Sequence, residues 1–294
     1  MPFLLPRLLH YFSEELITDI ENISPDTGYF TFDGVPLKWH LPAGLLYDIY
    51  VLSTQDVSHE DTVRSSSIRG KAEPFRLTVH FTQISSSTQQ LHLINATPTI
   101  VHDAFINSVK EADFVRTGSA KPIMSLSAAD SKLLWSSTQE NDLTTFSRIY
   151  AGLLPSNNNT TWRNIPLRVY LPSAPVENEA EGDMADAATR TSQGQIHILQ
   201  AAIPPYLPLS STSPNPTTSQ LRHPPSNTTR GTPQTLGTAL HSLLPSLFPS
   251  RRTPISAKPL LHGAVMPMSA TLEEVASKAC YADGWVNVVV AISG

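Results

Sequence analysis

YFTFDGVPLKWHLPAGLLYD, residues 29–48, sets how the first part of the chain folds. Tyr29, Phe30 and Phe32 read as a short strand, Asp33-Gly34 as a turn, and Val35-Pro36-Leu37 as a second edge. Pro42 to Tyr50 then opens a short helix. Trp39, His40 and Lys38 sit between the two apolar runs, in an order that matches no ordinary catalytic motif.

Upstream, Leu5, Leu8, Leu9, Phe12, Leu16 and Ile20 recur at three- and four-residue steps, the mark of an amphipathic helix with one buried stripe. Ser24 to Gly28 ends it. Downstream, a serine-rich loop runs from about residue 53 to 73. Leu77, Val79 and Phe81 then alternate with Thr78 and His80 in a strand with one face inward. Helix, two strands, turn and strand is the latter part of a ubiquitin-like β-grasp fold.

From Pro98 the period becomes helical. Val101, Phe105, Val109 and Ala112 line one face. Ser127 with Asp130 reads as a capping box opening a second helix, with Leu133, Leu134, Leu143, Phe146 and Tyr150 as buried residues. The helical segment stops near Gly152 and Pro155.

Strands return from Trp162. Ile165, Leu167 and Val169 alternate with Pro166, Arg168 and Tyr170, and residues 195–203 form a second strand. Thr232-Pro233 is expected to start a helix carrying Leu236, Leu240, Leu243 and Leu244. Leu260 to Val265 is a third strand, Thr271 and Glu274 form a capping box for a helix through Cys280, and Trp285 to Ile292 is the closing strand. That order is a complete β-grasp domain. Its connectors are two expected disordered insertions. One spans about 172–194; the other, about 204–232, lies in a stretch with eight prolines between Pro204 and Pro233.

The fold class is therefore α+β, with two ubiquitin-like β-grasp domains flanking a helix-rich one. The first covers 1–83, the helical domain 98–155, and the second ubiquitin-like domain 162–294.

Composition narrows the function. Charged residues make up 15% of the 294, and twenty-five prolines fit compact pieces joined by connectors. A formal charge of −5, with Arg251-Arg252 as the one adjacent basic pair, argues against nucleic acid. The single cysteine, Cys280, allows no disulfide framework and no cysteine zinc site, and fits a reducing, cytoplasmic compartment. It is expected as a small buried residue. Ten histidines show no metal-binding pair at helical spacing. The glycines make no phosphate-cradling pattern, and no Ser, His and Asp set stands in a recognisable local context. No cofactor, metal or catalytic residue is expected. Trp39 is expected to pack between the first domain and its neighbours, with His40 at the surface or bonded to a backbone group.

Five blocks, taken in order, resemble the autophagy protein 5 family: LLPRLLHYF, FDGVPLKWHLPAGLLYD, FRLTVHF, VKEAD at 109–113, and the series NIPLRVY, TLGTALHSLLP and LLHGAVMPM. They span nearly the whole chain. The resemblance implies a scaffold without catalytic residues of its own. In the family, a lysine in the KEAD block accepts the ubiquitin-like autophagy protein 12 through an isopeptide bond. Here that residue is Lys110. The conjugating enzymes of the autophagy system would deliver the modifier. A coiled-coil autophagy protein 16 partner would bind the conjugate, and the complex would promote lipidation of autophagy protein 8 at the isolation membrane or pre-autophagosomal structure, as a peripheral component.

Helix geometry places Lys110 nine residues after Val101, two and a half turns on, so it points away from the apolar stripe and shares its side with Asp103, Asn107 and Glu111. Glu111 and Asp113 beside the amine would favour its ammonium form, so activating groups should come from the conjugating enzyme. Without the family block, each of the seven lysines has equal claim. A non-covalent β-grasp adaptor, with no lysine conjugation, is the alternative reading.

Family members begin with a further few dozen residues, including a strand pair, whereas Met1 here is followed almost at once by LLPRLL. We expect the strand Arg76–Phe81 to present an open edge on that account, and the chain as written to be poorly soluble and weak in coiled-coil binding. A misplaced start codon or a shortened form would account for it.

Overall fold

A computed structural model describes residues 2–15, 25–53, 74–81, 97–155, 162–172, 196–207 and 231–292. The expected insertions at about 172–194 and 204–232 fall almost wholly outside these residues, as do Leu16 and Ile20.

The chain opens with α1 (Leu5–Tyr11), which buries Leu5 and Leu9. The helix is shorter than its periodicity suggests, because Phe12 to Glu15 form turns. β1 (Tyr29–Phe32) and β2 (Val35–Pro36) form the expected hairpin. Asp33 and Gly34 both take positive φ, 47° and 78°, the backbone twist a two-residue hairpin requires. α2 (Ala43–Tyr47) runs into one π-helical turn, Asp48–Leu52, and together they bury Leu45, Leu46, Ile49 and Val51. β3 (Thr78–His80) pairs antiparallel with β1, so it lies at an edge of a three-stranded sheet in the order β2-β1-β3.

Four helices follow: α3 (Pro98–Thr117), α4 (Lys121–Met124), α5 (Ala128–Glu140) and α6 (Leu143–Tyr150). Val109, Ile123, Leu134, Ile149, Tyr150 and Leu153 make their core. Ser127 caps α5 as expected, accepting from Asp130 N at 3.0 Å. Two expected core leucines are not buried. Leu133 is exposed because the inward stripe of α5 runs through Leu134 and Ser137. Leu143 is 74% exposed because it occupies the first position of α6, directly after the cap.

The second sheet holds β4 (Ile165–Pro172), β5 (Ile196–Ile203), β8 (Ala257–Leu261), β9 (Ala264–Val265) and β10 (Val286–Ile292) in the order β5-β4-β10-β8-β9. β4 and β10 are parallel at the centre, and the other pairs are antiparallel. β6 (Tyr206–Leu207) and β7 (Thr232–Pro233) form a separate ribbon. α7 (Leu236–Leu243) supplies Leu236, Ala239 and Leu240 to the core, and α8 (Leu272–Lys278) supplies Leu272, Val275 and Ala276.

Three sequence expectations change here. Thr232-Pro233 is strand, not helix start. The cap is Thr235, whose Oγ1 accepts from Thr238 N at 3.2 Å while Thr238 Oγ1 accepts from Thr235 N at 2.9 Å. Pro233, without an N–H, sits on a two-strand ribbon where none is missed. Leu260 to Val265 is a hairpin, not one strand, because His262 and Gly263 turn through φ of 51° and 78°. At α8, Thr271 Oγ1 donates to Glu274 Oε2 at 2.9 Å instead of accepting a backbone N–H, and the helix stops at Lys278, short of Cys280.

β4 also departs from simple alternation. Ile165, Leu167 and Val169 are buried, but so is Tyr170, and Arg168 is nearly covered. A strand buried on both faces loses its polar-out pattern. Here the second face is covered by α3, and that packing sets the geometry of the site.

Candidate functional site

α3 is the long rod of the molecule. Thr97 caps its first turn, Pro98 occupies the first helical position, and Gly118, at φ 83°, ends it with its N–H on Phe114 O at 2.7 Å. Twenty residues at 1.5 Å each make it roughly 30 Å long.

Two polar clamps fix this rod to its surroundings. The first grips Ser108 and Glu111. Arg168 of β4 donates to Asp283 Oδ2 at 3.2 Å and to Ser108 Oγ at 3.3 Å, and pairs with Glu111 Oε2 at 3.3 Å. Ser108 Oγ donates to Asp283 Oδ2 at 2.8 Å, and Trp285 Nε1 donates to Ser108 O at 3.2 Å. The Arg168 guanidinium lies 3.9 Å from the centre of the Trp285 ring, a stacked cation–π contact. With its amide oxygen turned toward the guanidinium, Gln200 of β5 accepts from Arg168 Nε at 2.7 Å. Burial pushes the Asp283 carboxyl upward, against the opposing pull of Arg168 and Ser108.

The second clamp is buried. Arg116 is 2% exposed and donates to Leu153 O and Tyr150 OH at 3.1 Å each, and to Gly284 O at 3.3 Å. Asp113, one turn earlier, lies 3.9 Å from Arg116 and accepts from Ile123 N at 3.1 Å. Burial raises the Asp113 carboxyl, with Ile123 N–H and Arg116 acting the other way. Gly284 makes room for the guanidinium: a Cβ there would lie 2.5 Å from Arg116 Nη2 and 3.0 Å from Tyr150 OH.

Lys110 lies within the span of the first clamp in sequence, between Ser108 and Glu111. It is half-buried, less open than Asp103, Asn107 and Glu111 on its side of the helix. Among the described residues no hydrogen bond or ion pair engages its Nζ. The two carboxylates beside it in sequence are committed elsewhere, Glu111 to Arg168 and Asp113 to Arg116 and Ile123. One side of α3 is thus locked to the second sheet and to α4–α6, and the lysine lies off that side.

Sequence reasoning missed both clamps. The available signal was Arg116, a charge falling on the apolar side of α3 with Asp113 three residues before it. Nothing local in the sequence links Arg168 or Asp283 to Glu111 and Ser108, which lie 57 to 175 residues away. Cys280 is partly buried, with its sulfur 3.4 Å from Tyr150 OH. Burial raises its thiol pKa, partly offset by the Tyr150 hydrogen bond. Trp39 is half-buried beside an exposed His40. Among the described residues no group of three or more His, Cys, Asp or Glu could hold a metal ion, and no helix is long and apolar enough to cross a membrane.

Family models match in three parts. Residues 1–81 match the UblA domain of autophagy protein ATG5, residues 98–156 its alpha-helical bundle region, and residues 164–290 its UblB domain. The chain is 44% identical to Autophagy protein 5 of Aspergillus fumigatus over 297 residues, covering 100% of this chain and 83% of that protein. It is 45% identical to the Aspergillus oryzae protein of the same name over 298 residues (100% and 85%), and 40% identical to that of Coccidioides immitis over 325 residues (100% and 86%). The fold is similar to the crystal structure of Kluyveromyces marxianus Atg5, with a TM-score of 0.62 at 18% identity, covering 98% of this chain and 82% of that one. Two ubiquitin-like domains flanking a helical bundle, matched along their length by these relatives, make this chain a member of the autophagy protein 5 family.

Proposed function

We propose that this chain is a scaffold of autophagosome formation that accepts the ubiquitin-like autophagy protein 12 through an isopeptide bond at Lys110. With a coiled-coil autophagy protein 16 partner, it promotes transfer of autophagy protein 8 to lipid, as a peripheral component at the isolation membrane. The observation that carries this reading is the position of Lys110 on a helix clamped at two points, with both neighbouring carboxylates paired to arginines. An acceptor amine must meet a thioester in one geometry, and a rod that does not shift under the incoming enzyme lowers the ordering cost of that encounter. The chain contributes position; the activated bond and the proton-accepting group belong to the conjugating enzyme.

Incubation with the modifier, its activating and conjugating enzymes and ATP tests this. The expected product is the chain plus one modifier, with the isopeptide mapped to Lys110 by mass spectrometry and lost in Lys110→Arg. Continued modification of Lys110→Arg would refute the site. Absence of any conjugate on the wild-type chain, with coiled-coil binding intact, would favour a non-covalent adaptor.

A further inference from the structure

α3 carries one large apolar side chain in the open on the turn after Lys110. Phe114 is 60% exposed. Its own carbonyl accepts the Gly118 N–H that closes the helix, so its backbone is held. Residues three and four apart on a helix are surface neighbours, with Cβ atoms about 5–6 Å apart. For Lys110 these are Ile106, Asn107, Asp113 and Phe114. Ile106 is half-buried, Asn107 is exposed and neutral, and Asp113 is buried and engaged. The surface around the amine therefore offers an incoming protein one apolar anchor and no free charge among these neighbours.

We propose that Phe114 is the positioning residue on which the enzyme carrying the thioester-linked modifier docks. The inference rests on Lys110 being the acceptor. In the transfer, the neutral Nζ attacks the thioester carbonyl carbon. A C–N bond forms, the C–S bond breaks, the enzyme's cysteine leaves as thiolate, and the proton shed by nitrogen passes to an enzyme base or water. Attack requires the carbonyl within about 3–3.5 Å of Nζ. A protein body that brings it there comes within van der Waals reach of a ring one turn away. An aromatic side chain covered in this way carries a large share of an interface's energy. With 60% of its surface open, Phe114 has more to contribute to the encounter than to the fold.

The experiment is steady-state conjugation of the full chain, with the modifier-loaded conjugating enzyme as the varied component. Phe114→Ala is expected to raise KM about tenfold or more, with kcat within about twofold and the thermal midpoint unchanged. Phe114→Leu is expected to restore most of the loss. Leu143→Ala, at a still more exposed apolar residue but on α6, is expected to behave as wild type. An unchanged KM in Phe114→Ala, a fall confined to kcat, or an equal loss in Leu143→Ala would overturn the proposal. Lys110→Arg, run alongside, separates the two readings. If it is still modified, the acceptor assignment fails; if it is inert while Phe114→Ala matches wild type, the docking role alone fails.

Discussion

Replacing Arg116 with methionine removes a cation from the interior while keeping most of its length and apolar bulk. Three acceptors, Leu153 O, Tyr150 OH and Gly284 O, lose their donor. Asp113 is left as a fully buried carboxylate whose remaining partner is Ile123 N, since its Oδ1 accepts no hydrogen bond. Summing each lost bond would overcount, because the acceptors relax together. The governing quantity is the cost of stranding one partner of a buried charge pair, about 3–5 kcal/mol. For a chain of this size that lowers the thermal midpoint by roughly 10 °C. Removing the second charge as well, in Arg116→Met with Asp113→Asn, is expected to recover about half the loss, because the amide oxygen still accepts from Ile123 N without carrying an unpaired charge. Thermal and urea unfolding of the wild type, the single and the double variant measure this. A single variant within about 1 kcal/mol of wild type, or a double variant less stable than the single, would refute the reasoning.

Gly237→Ala is expected to destabilise by about 3 kcal/mol, read in the same unfolding assay. A Cβ there would run into the carbonyl oxygen of Arg251 and approach that of Met268 to 2.9 Å, and both are backbone atoms that cannot swing away. Alkaline pH gives a third outcome. Burial pushes Tyr170 up to about 12, above the value of about 10 it has when unfolded. Its contribution is complete below pH 10 and is lost as pH rises through the folded value, about 3 kcal/mol in all. The thermal midpoint should fall above pH 10, and Tyr170→Phe should flatten that fall without abolishing it, since Tyr150 and Tyr281 are also raised by burial.

Much of the fold was legible in the chain. Asp33-Gly34 predicts its hairpin because few residues tolerate two successive positive φ angles. Val101, Val109 and Ala112 predict the buried side of α3 because the helical period is a local property. The misses share one origin. Thr232-Pro233 carries a good helix-start signal, yet Thr235, three residues on, completes a reciprocal cap and wins. Leu143 matches the helical spacing of a core residue, but it stands 74% exposed at the first position of α6. The candidate site was half legible. Lys110 stood out through a short block of sequence and its helical phase, while the pairing of Glu111 with the distant Arg168 did not, because that partner is set by tertiary packing.

What the sequence determined by itself is the succession of elements, the turns that join them and the outer phase of Lys110 on its helix. These follow from backbone sterics and side-chain period within a few residues. Only the tertiary structure decided which charges neutralise one another. Arg168 reaches Glu111 and Asp283 across 57 and 115 residues, and Arg116 meets Gly284 across 168. Electrostatic pairing depends on distance in space, and packing α3 onto β4 brings those groups within hydrogen-bond reach.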